Sequence, residues 1–290
     1  MVRPVGPSLD PPRPLTIAWV ALTMGSRTDE LRRAAESLVP DRVLVVANGA
    51  PEVPIVTGAE VVSFAENLGV PGGRHAGVQA TTSDVVGFLD DDAELRGDAA
   101  RIRGAFERDP QLGAVALRLV DENGETARRH VPRLGGRDAG RSGDVALFLG
   151  GACAVRREAY EQVGGYFTDL FYGHEEVELC WRLVDAGWRI RYLADVEVFH
   201  PRTTIERHPD GWELTGRNRV LIARRTLPWP VAAIHVLTWL VLGLLRAPTS
   251  EHRRRYVLGW RRGWRIAVER NPISWRGVWR LARLGRPPIV

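Results

Sequence analysis

Short apolar runs alternate with helically spaced stretches along most of this chain. "LTIAWVAL" (15–22), β-branched and aromatic, predicts a first strand. In "RTDELRRAAESLV" (27–39), Leu31, Ala34, Ala35 and Leu38 share one helical face, with Thr28 as the expected N-cap. "DRVLVVANGA" (41–50) is a continuous apolar run closed by Asn-Gly, a buried strand that stops at a turn, and "AEVVSFAEN" (59–67) predicts a third strand. "GGRHAGVQATTS" (72–83) opens on glycines and continues as a helix, and "SDVVGFLDDD" (83–92) predicts a fourth strand. A helix over "DAARIRGAFERDP" (98–110), a strand over "LGAVALRLV" (112–120) and a Gly- and Arg-rich loop to about residue 143 follow. "VALFLGGACAVRREAYEQVGGY" (145–166) predicts a strand, a Gly-Gly turn, a second strand and a helix ending at Gly164-Gly165. "HEEVELCWRLVDAGW" (174–188) puts Val177, Cys180, Trp181 and Val184 on one face with Gly187 as C-cap, and "RIRYLADVEVFHP" (189–201) returns as a strand ending on His200.

This alternation predicts an α/β fold, a Rossmann-like, mostly parallel sheet with helices on both faces. Ligands of such sheets bind outside the carboxyl ends of the strands. Asn48, Asn67 and the run Asp90-Asp91-Asp92 all lie at such ends and are expected to converge.

Charge divides the chain. From residue 215 onward there are 16 Arg and 2 acidic residues, a net of +14, whereas the preceding residues hold 24 Arg against 33 acids. Six of the ten Trp also fall in that tail, and Lys is absent throughout. The division predicts three parts: a flexible proline-rich leader over 1–14, a catalytic domain over 15–214, and a basic, Trp-rich helical extension over 215–290. The apolar run 231–245, interrupted by His235, is short of the roughly 20 residues that span a bilayer. With Trp at its ends and Arg around it, it reads either as an interfacial membrane element or as a helix docked on the catalytic domain. Two cysteines without metal-like spacing fit a reducing compartment, so the cytoplasm, at the inner face of the plasma membrane, is the expected location. Nucleic acid is not an expected partner; an oligomer is compatible with the composition.

Several residues are candidates for chemistry. Asp-x-Asp at a strand end suits a hard divalent cation, which takes oxygen ligands and completes its shell with substrate phosphates; a solvated turn is the alternative reading. "ENLGVPGGRHAG" (66–77) sets glycines before a helix, where backbone can approach a diphosphate, and Arg74 adds a guanidinium fork suited to phosphate. Glu175 and Glu176, opening a helix, are candidate general bases or ordinary first-turn acids. His200 is a candidate metal ligand or a capped loop residue.

In their order, "VVANGA", "NLGVPGGRHAG", "FLDDDAEL", "GGACAVRREAYEQVGGY", "YGHEEVELCWRLVDAGWRIRYL", "VEVFHP" and "RNRVLIARRTLP" resemble glycosyltransferase family 2, inverting enzymes of GT-A fold. The likeness spans residue 15 to about 227 and is strongest to the bacterial rhamnosyl- and galactofuranosyltransferase-like branch. The resemblance implies transfer of a sugar from a UDP-, dTDP- or GDP-linked donor to a hydroxyl acceptor: a cell-envelope or lipid-linked glycan, or a small molecule. It implies Mg²⁺ or Mn²⁺ held by Asp90, Asp92 and His200, with Thr23, Arg27, Asn48, Asn67, Gly73, Arg74, Asp90 and Asp91 around the nucleotide sugar. Glu176 falls where the family has its base, with Glu175 as substitute; Gly151, Tyr172, Trp181 and Trp212 would meet the acceptor, the aromatic rings stacking on sugar faces. A catalytically silent sugar-nucleotide or anionic-lipid binding protein is the competing reading.

Overall fold

The computed structural model describes residues 13–50, 52, 56–202 and 208–289. The leader expected over 1–14 thus lies mostly outside the described residues; Arg13, near its end, forks onto Asp84 at 2.6 and 2.8 Å. In chain order the first half comprises β1 (Ile17–Thr23), α1 (Thr28–Glu36), β2 (Arg42–Asn48), β3 (Ala59–Phe64), α2 (Gly69–Gln79), β4 (Val85–Asp90), β5 (Glu94–Leu95), α3 (Ala99–Arg108) and β6 (Leu112–Val120). After it come β7 (Gly143–Asp144), β8 (Ala152–Arg156), α4 (Arg157–Gln162), α5 (Glu175–Ala186), β9 (Arg189–Phe199), α6 (Gly211–Thr226), α7 (Trp229–Arg246), α8 (Ser250–Arg265) and α9 (Trp275–Arg283).

The strands form one sheet in the order β3-β2-β1-β4-β8-β6-β9-β5, with β7 paired to β9. β1, β2, β3 and β4 are mutually parallel, β8 runs against both β4 and β6, and β6 is parallel to β9. Six strands therefore point the same way, and their carboxyl ends share one edge. Side chains alternate across the sheet. Ile17, Trp19 and Ala21 of β1 join Leu31 of α1 and Phe106 of α3 in one core, while Val20 joins Val78 of α2, Leu179 of α5 and Leu221 of α6 in the other.

Local differences from the sequence expectations have physical causes. Thr28 is the first helical residue of α1, and the cap position is Arg27, which makes no side-chain cap bond. α2 begins at Gly69, before the glycine pair, because Gly69 adopts a positive φ of 71° that turns the chain into the helix. The buried run 145–148 is not a strand; it passes under the sheet as apolar coil, and only β8 pairs in that segment. α6 begins at Gly211, so the composition boundary at 214/215 falls inside a helix. The extension continues from it: α8 crosses α6 so closely that a Cβ on Gly216 or Gly259 would overlap the facing backbone. The apolar run 231–245 is part of an 18-residue helix, longer than expected and long and apolar enough to cross a membrane by those criteria alone.

One buried ion pair ties the second core to the loop ahead of α5. Glu178 is fully buried, accepts from Arg182 Nε at 2.8 Å and from Thr226 Oγ1 at 3.0 Å, and lies 3.4 Å from Arg225. Arg182 passes its remaining donors to the carbonyls of Val163 and Gly165. Glu178→Ala should cost about 3–5 kcal/mol in urea unfolding, because it strands a buried guanidinium. A loss under 1 kcal/mol would contradict this account.

Candidate functional site

Parallel strand direction assembles the site. Thr23, Asn48 and Asp90 end β1, β2 and β4, which are neighbours in the sheet. From Asp90 the chain turns through Asp91 and Asp92 into β5, where Glu94 pairs with Phe199. That short pairing brings His200 onto the acidic turn. His200 Nε2 lies 3.6 Å from Asp90 Oδ2 and 3.4 Å from Asp92 Oδ1, while its Nδ1 is 2.8 Å from the carbonyl of Pro201. Asp90, Asp92 and His200 each offer one ligand atom, all within 4.8 Å of one another.

Cations hold the rest of the acidic cluster. Arg27 donates to Asp91 at 3.0 Å and to Asp92 at 2.7 Å, and Thr23 donates to Asp91 at 2.8 Å. Burial raises Asp91 above the usual carboxylate range, helped by Asp92 and Asp90 and opposed by Thr23 and Arg27. Arg74, buried on α2, donates to Asp90 at 3.1 Å and to both Glu175 and Glu176 at 3.4 Å.

The two glutamates at the start of α5 differ. Glu175 is 3% exposed, and its Oε2 has no hydrogen-bond partner among the described residues. Burial first, then the neighbouring Glu176, raises its pKa, with Arg74 pulling the other way. Glu176 has a side chain 21% exposed and accepts from the Gly150 amide at 3.1 Å. A Cβ on Gly150 would overlap both Arg74 and Glu176, and one on Gly151 would overlap the Asp90 carboxylate, so only glycine allows this close approach.

Known proteins share parts of this sequence and its fold. The family model described as Glycosyl transferase family 2 matches residues 25–164. Over residues 25–164, just under half its length, the chain is similar to glycosyltransferase family 2. It is 32% identical over 202 residues to "Pre-mycofactocin glycosyltransferase" of Mycobacterium tuberculosis, covering 64% of this chain and 43% of that protein. It is 44% identical over 54 residues, 18% of each protein, to "N-acetylglucosaminyl-diphospho-decaprenol L-rhamnosyltransferase" of the same species. The chain thus spans less than half the length of either relative. Among solved structures, GalNAc-T7 with UDP, GalNAc and Mn²⁺ superposes with a TM-score of 0.60 at 16% identity, over 84% of this chain and 54% of that one. The mostly parallel sheet is that of the GT-A fold.

Around this site, several residues stand where the sequence expects them and several do not. Asp90, Asp92 and His200 come together, and Glu176 joins them through Arg74. Asp91 takes up Thr23 and Arg27, a pairing that sequence reasoning missed and no local pattern signals. Asn48 is buried and its amide holds the next turn: it donates to Asn67 at 2.9 Å and Gly69 at 3.0 Å and accepts from the Leu68 amide at 2.8 Å. Asn67 Oδ1 accepts from the Gly69 amide at 2.8 Å, and the Val70 amide donates to Phe171 at 2.7 Å, so the start of α2 is already capped. Gly73 serves packing, since a Cβ there would strike Leu22 and crowd Asn48. Arg74, expected on a diphosphate, is committed to three carboxylates. Trp181 is 4% exposed and lies edge-on to His235 at 5.5 Å, leaving no face for a sugar. Tyr172 and Trp212 line a common cavity. Asn218, fully buried, also went unnoticed as a positioning residue; it donates to the carbonyls of Leu170, Tyr172 and Gly173 and fixes the turn before Glu175.

The raised Glu175 carries a pH signature. Between its ordinary pKa near 4.5 and the higher folded value, the native state binds more protons than the unfolded chain, so stability falls as pH rises. Glu175→Gln abolishes that titration. Urea midpoints from about pH 5 to about pH 8 should therefore decline less steeply in the variant than in the parent; parallel profiles would refute the assignment.

Proposed function

We propose that the protein is a metal-dependent, inverting glycosyltransferase that moves a sugar from a nucleotide-diphosphate donor to a hydroxyl acceptor. The observation that carries this reading is the joining of Asp90, Asp92 and His200 at the sheet edge to Glu176 through a single guanidinium. Two carboxylates and an imidazole suit Mn²⁺, and suit Mg²⁺ less, because the latter prefers oxygen ligands alone. A divalent cation held there would neutralise charge developing on the departing diphosphate.

The remaining steps belong to the chain. The acceptor hydroxyl oxygen attacks the anomeric carbon as the bond from that carbon to the diphosphate oxygen breaks. Glu176 accepts the hydroxyl proton, being the less buried of the pair and oriented by Gly150 and Arg74. Arg74 compensates the carboxylates before and after that transfer. Arg27, through Asp91 and Asp92, keeps the metal-side carboxylates in position. The mycobacterial relative whose name includes a diphospho-decaprenol supports a lipid-linked acceptor as the leading candidate.

Two variants test the mechanism. With Mn²⁺ and a panel of UDP-, dTDP- and GDP-sugars, the parent should show a metal-dependent thermal shift and release nucleotide diphosphate. Asp92→Asn should lose the metal dependence. Glu176→Gln should keep the shift and lose about 10²–10⁴-fold in turnover. Donor binding without metal, and without turnover under any condition, would favour a silent binding protein instead.

Location at the cytoplasmic face of a membrane is part of the same proposal. α7 turns Ile234, Leu237, Val241 and Leu245 outward, each at least half exposed, at spacings of three and four residues. Arg253, Arg254 and Arg261 on α8 line a groove with Leu258, and basic side chains beside apolar ones suit an anionic bilayer surface. Co-sedimentation with vesicles containing phosphatidylglycerol should drop several-fold in Leu237→Glu/Val241→Glu. Equal recovery of parent and variant would remove the membrane contact from the proposal.

A further inference from the structure

A cavity of about 650 Å³ lies between α6, α7, α8 and the turn at Tyr172, within the range that holds a small ligand. Its wall includes Tyr172, Trp212, Arg219, Trp239, Arg246 and Tyr256. The guanidinium carbon of Arg219 stands 3.4 Å from the centroid of the Trp239 ring, and that of Arg246 stands 5.3 Å from the same ring. Two cations thus crowd one indole.

Among the described residues, no carboxylate forms an ion pair with Arg219 or Arg246. Arg219 Nε and Trp239 Nε1 are buried donors with no acceptor among the described residues. Glu251, the carboxylate on the cavity wall, is engaged by Arg255 at 3.2 Å. Burial, with Arg286 and Arg246 nearby, pulls Arg219 down to about 9 against the opposing effect of Tyr256. Buried polar groups are normally hydrogen-bonded, and a buried cation without a counter-charge is costly. A bound anion facing the Arg219 and Arg246 guanidinium groups would supply the counter-charge. Around it, aromatic walls offer apolar and stacking surface.

The cavity is also tied to the reacting end of the site. Tyr172 precedes Glu175 by three residues, so their Cα atoms are at most about 11 Å apart. Asn218, on the same helix as Arg219, holds the carbonyls of Tyr172 and Gly173 at 2.9 and 2.8 Å. Wall and glutamate turn are therefore anchored on the same helix, α6.

We propose that this cavity is the acceptor site, and that the acceptor is an amphiphile in which an anionic group sits beside an apolar or aromatic body. The anion binds at Arg219 and Arg246 beside the Trp239 ring, the apolar body lies along Trp212 and Tyr256, and the hydroxyl end reaches Glu176 past Tyr172. This rests on the glycosyltransferase reading above, because only a transferase needs an acceptor.

The test titrates the full chain with decyl phosphate, decanol and inorganic phosphate, each below its aggregation limit, following tryptophan fluorescence. Decyl phosphate should bind at least about tenfold more tightly than either of the others. Arg219→Gln and Arg246→Gln should each weaken it about tenfold while leaving the Mn²⁺-dependent nucleotide shift unchanged; should the buried Arg219 variant not fold, exposed Arg246 carries the comparison. Leu237→Glu, on the outer face of α7, should bind decyl phosphate like the parent. Equal affinity for decanol, or unchanged binding in both arginine variants, would overturn the proposal. Donor turnover without amphiphile binding would remove the cavity and spare the transferase; amphiphile binding with no turnover of any donor would remove the acceptor role and leave only an anion-binding cavity.

Discussion

A single buried guanidinium makes the acidic centre possible. Asp90 comes from the end of β4 and Glu175 and Glu176 from the start of α5, and Arg74 of α2 touches all three. Two like charges 4 Å apart repel by about 4 kcal/mol at an effective dielectric of 20, so carboxylates gathered this closely need a cation among them. A planar guanidinium can give separate nitrogens to separate carboxylates, which a point-like ammonium does less well. Arg27 serves the outer pair, Asp91 and Asp92, through a single terminal nitrogen, and His200 faces Asp90 and Asp92. Burial works against a proton on His200, yet those aspartates outweigh it and raise its pKa. Because a metal ligand must release its proton, a cation held at this site would compete with protonation of the imidazole, and its binding would strengthen with rising pH.

The sheet was largely legible because buried parallel strands leave continuous apolar runs, and the periodic faces of α1 and α5 match their buried sides. The long-range antiparallel pairing that joins Asp90 to His200 was not. β5 has only two residues, too few for any period, although its pairing with β9 brings together residues far apart in sequence. The partners of Arg74 were hidden for a related reason. A guanidinium after glycines at a helix start reads as a phosphate fork, but Glu175 and Glu176 lie about a hundred positions away and only the fold unites them. Asn48 misled in the opposite direction: a strand-end amide looks ligand-facing, while the loop's own amides and carbonyls had first claim on it. For Trp181 two readings of one residue conflicted, and the helical period, which assigned it to the core, prevailed over its chemistry.

The extension departs from a simple appendage. α6 belongs to both halves: Val220, Leu221 and Ile222 pack into the core, while Gly216 meets α8. α7 is apolar on two sides, with Val231, Ala232 and Val236 inward and Ile234, Leu237 and Val241 outward. A helix apolar all round is ordinarily enclosed by protein or lipid. Here protein encloses one side, and the other faces away from the fold. Its basic surroundings make the same segment poor at joining a neutral apolar interface and well suited to an anionic one.

The adjacent glutamates show how one helix start can give two acids different work. Consecutive helical residues point about 100° apart. The positive φ of Gly173 and His174, 82° and 74°, sets the angle at which α5 begins. That angle sends Glu175 inward against Arg74 and leaves Glu176 at Gly150 with part of its surface open. Both sit where the helix dipole favours a negative charge. At Glu175 burial overrides the dipole and raises the pKa to about 8, so near neutral pH it meets Arg74 as a protonated hydrogen-bond acceptor and offers a hydroxyl acceptor little access. Glu176 keeps the same guanidinium and the same dipole with less burial. A base must reach its proton before its basicity matters, and access is what sets Glu176 apart from Glu175 as the proposed proton acceptor.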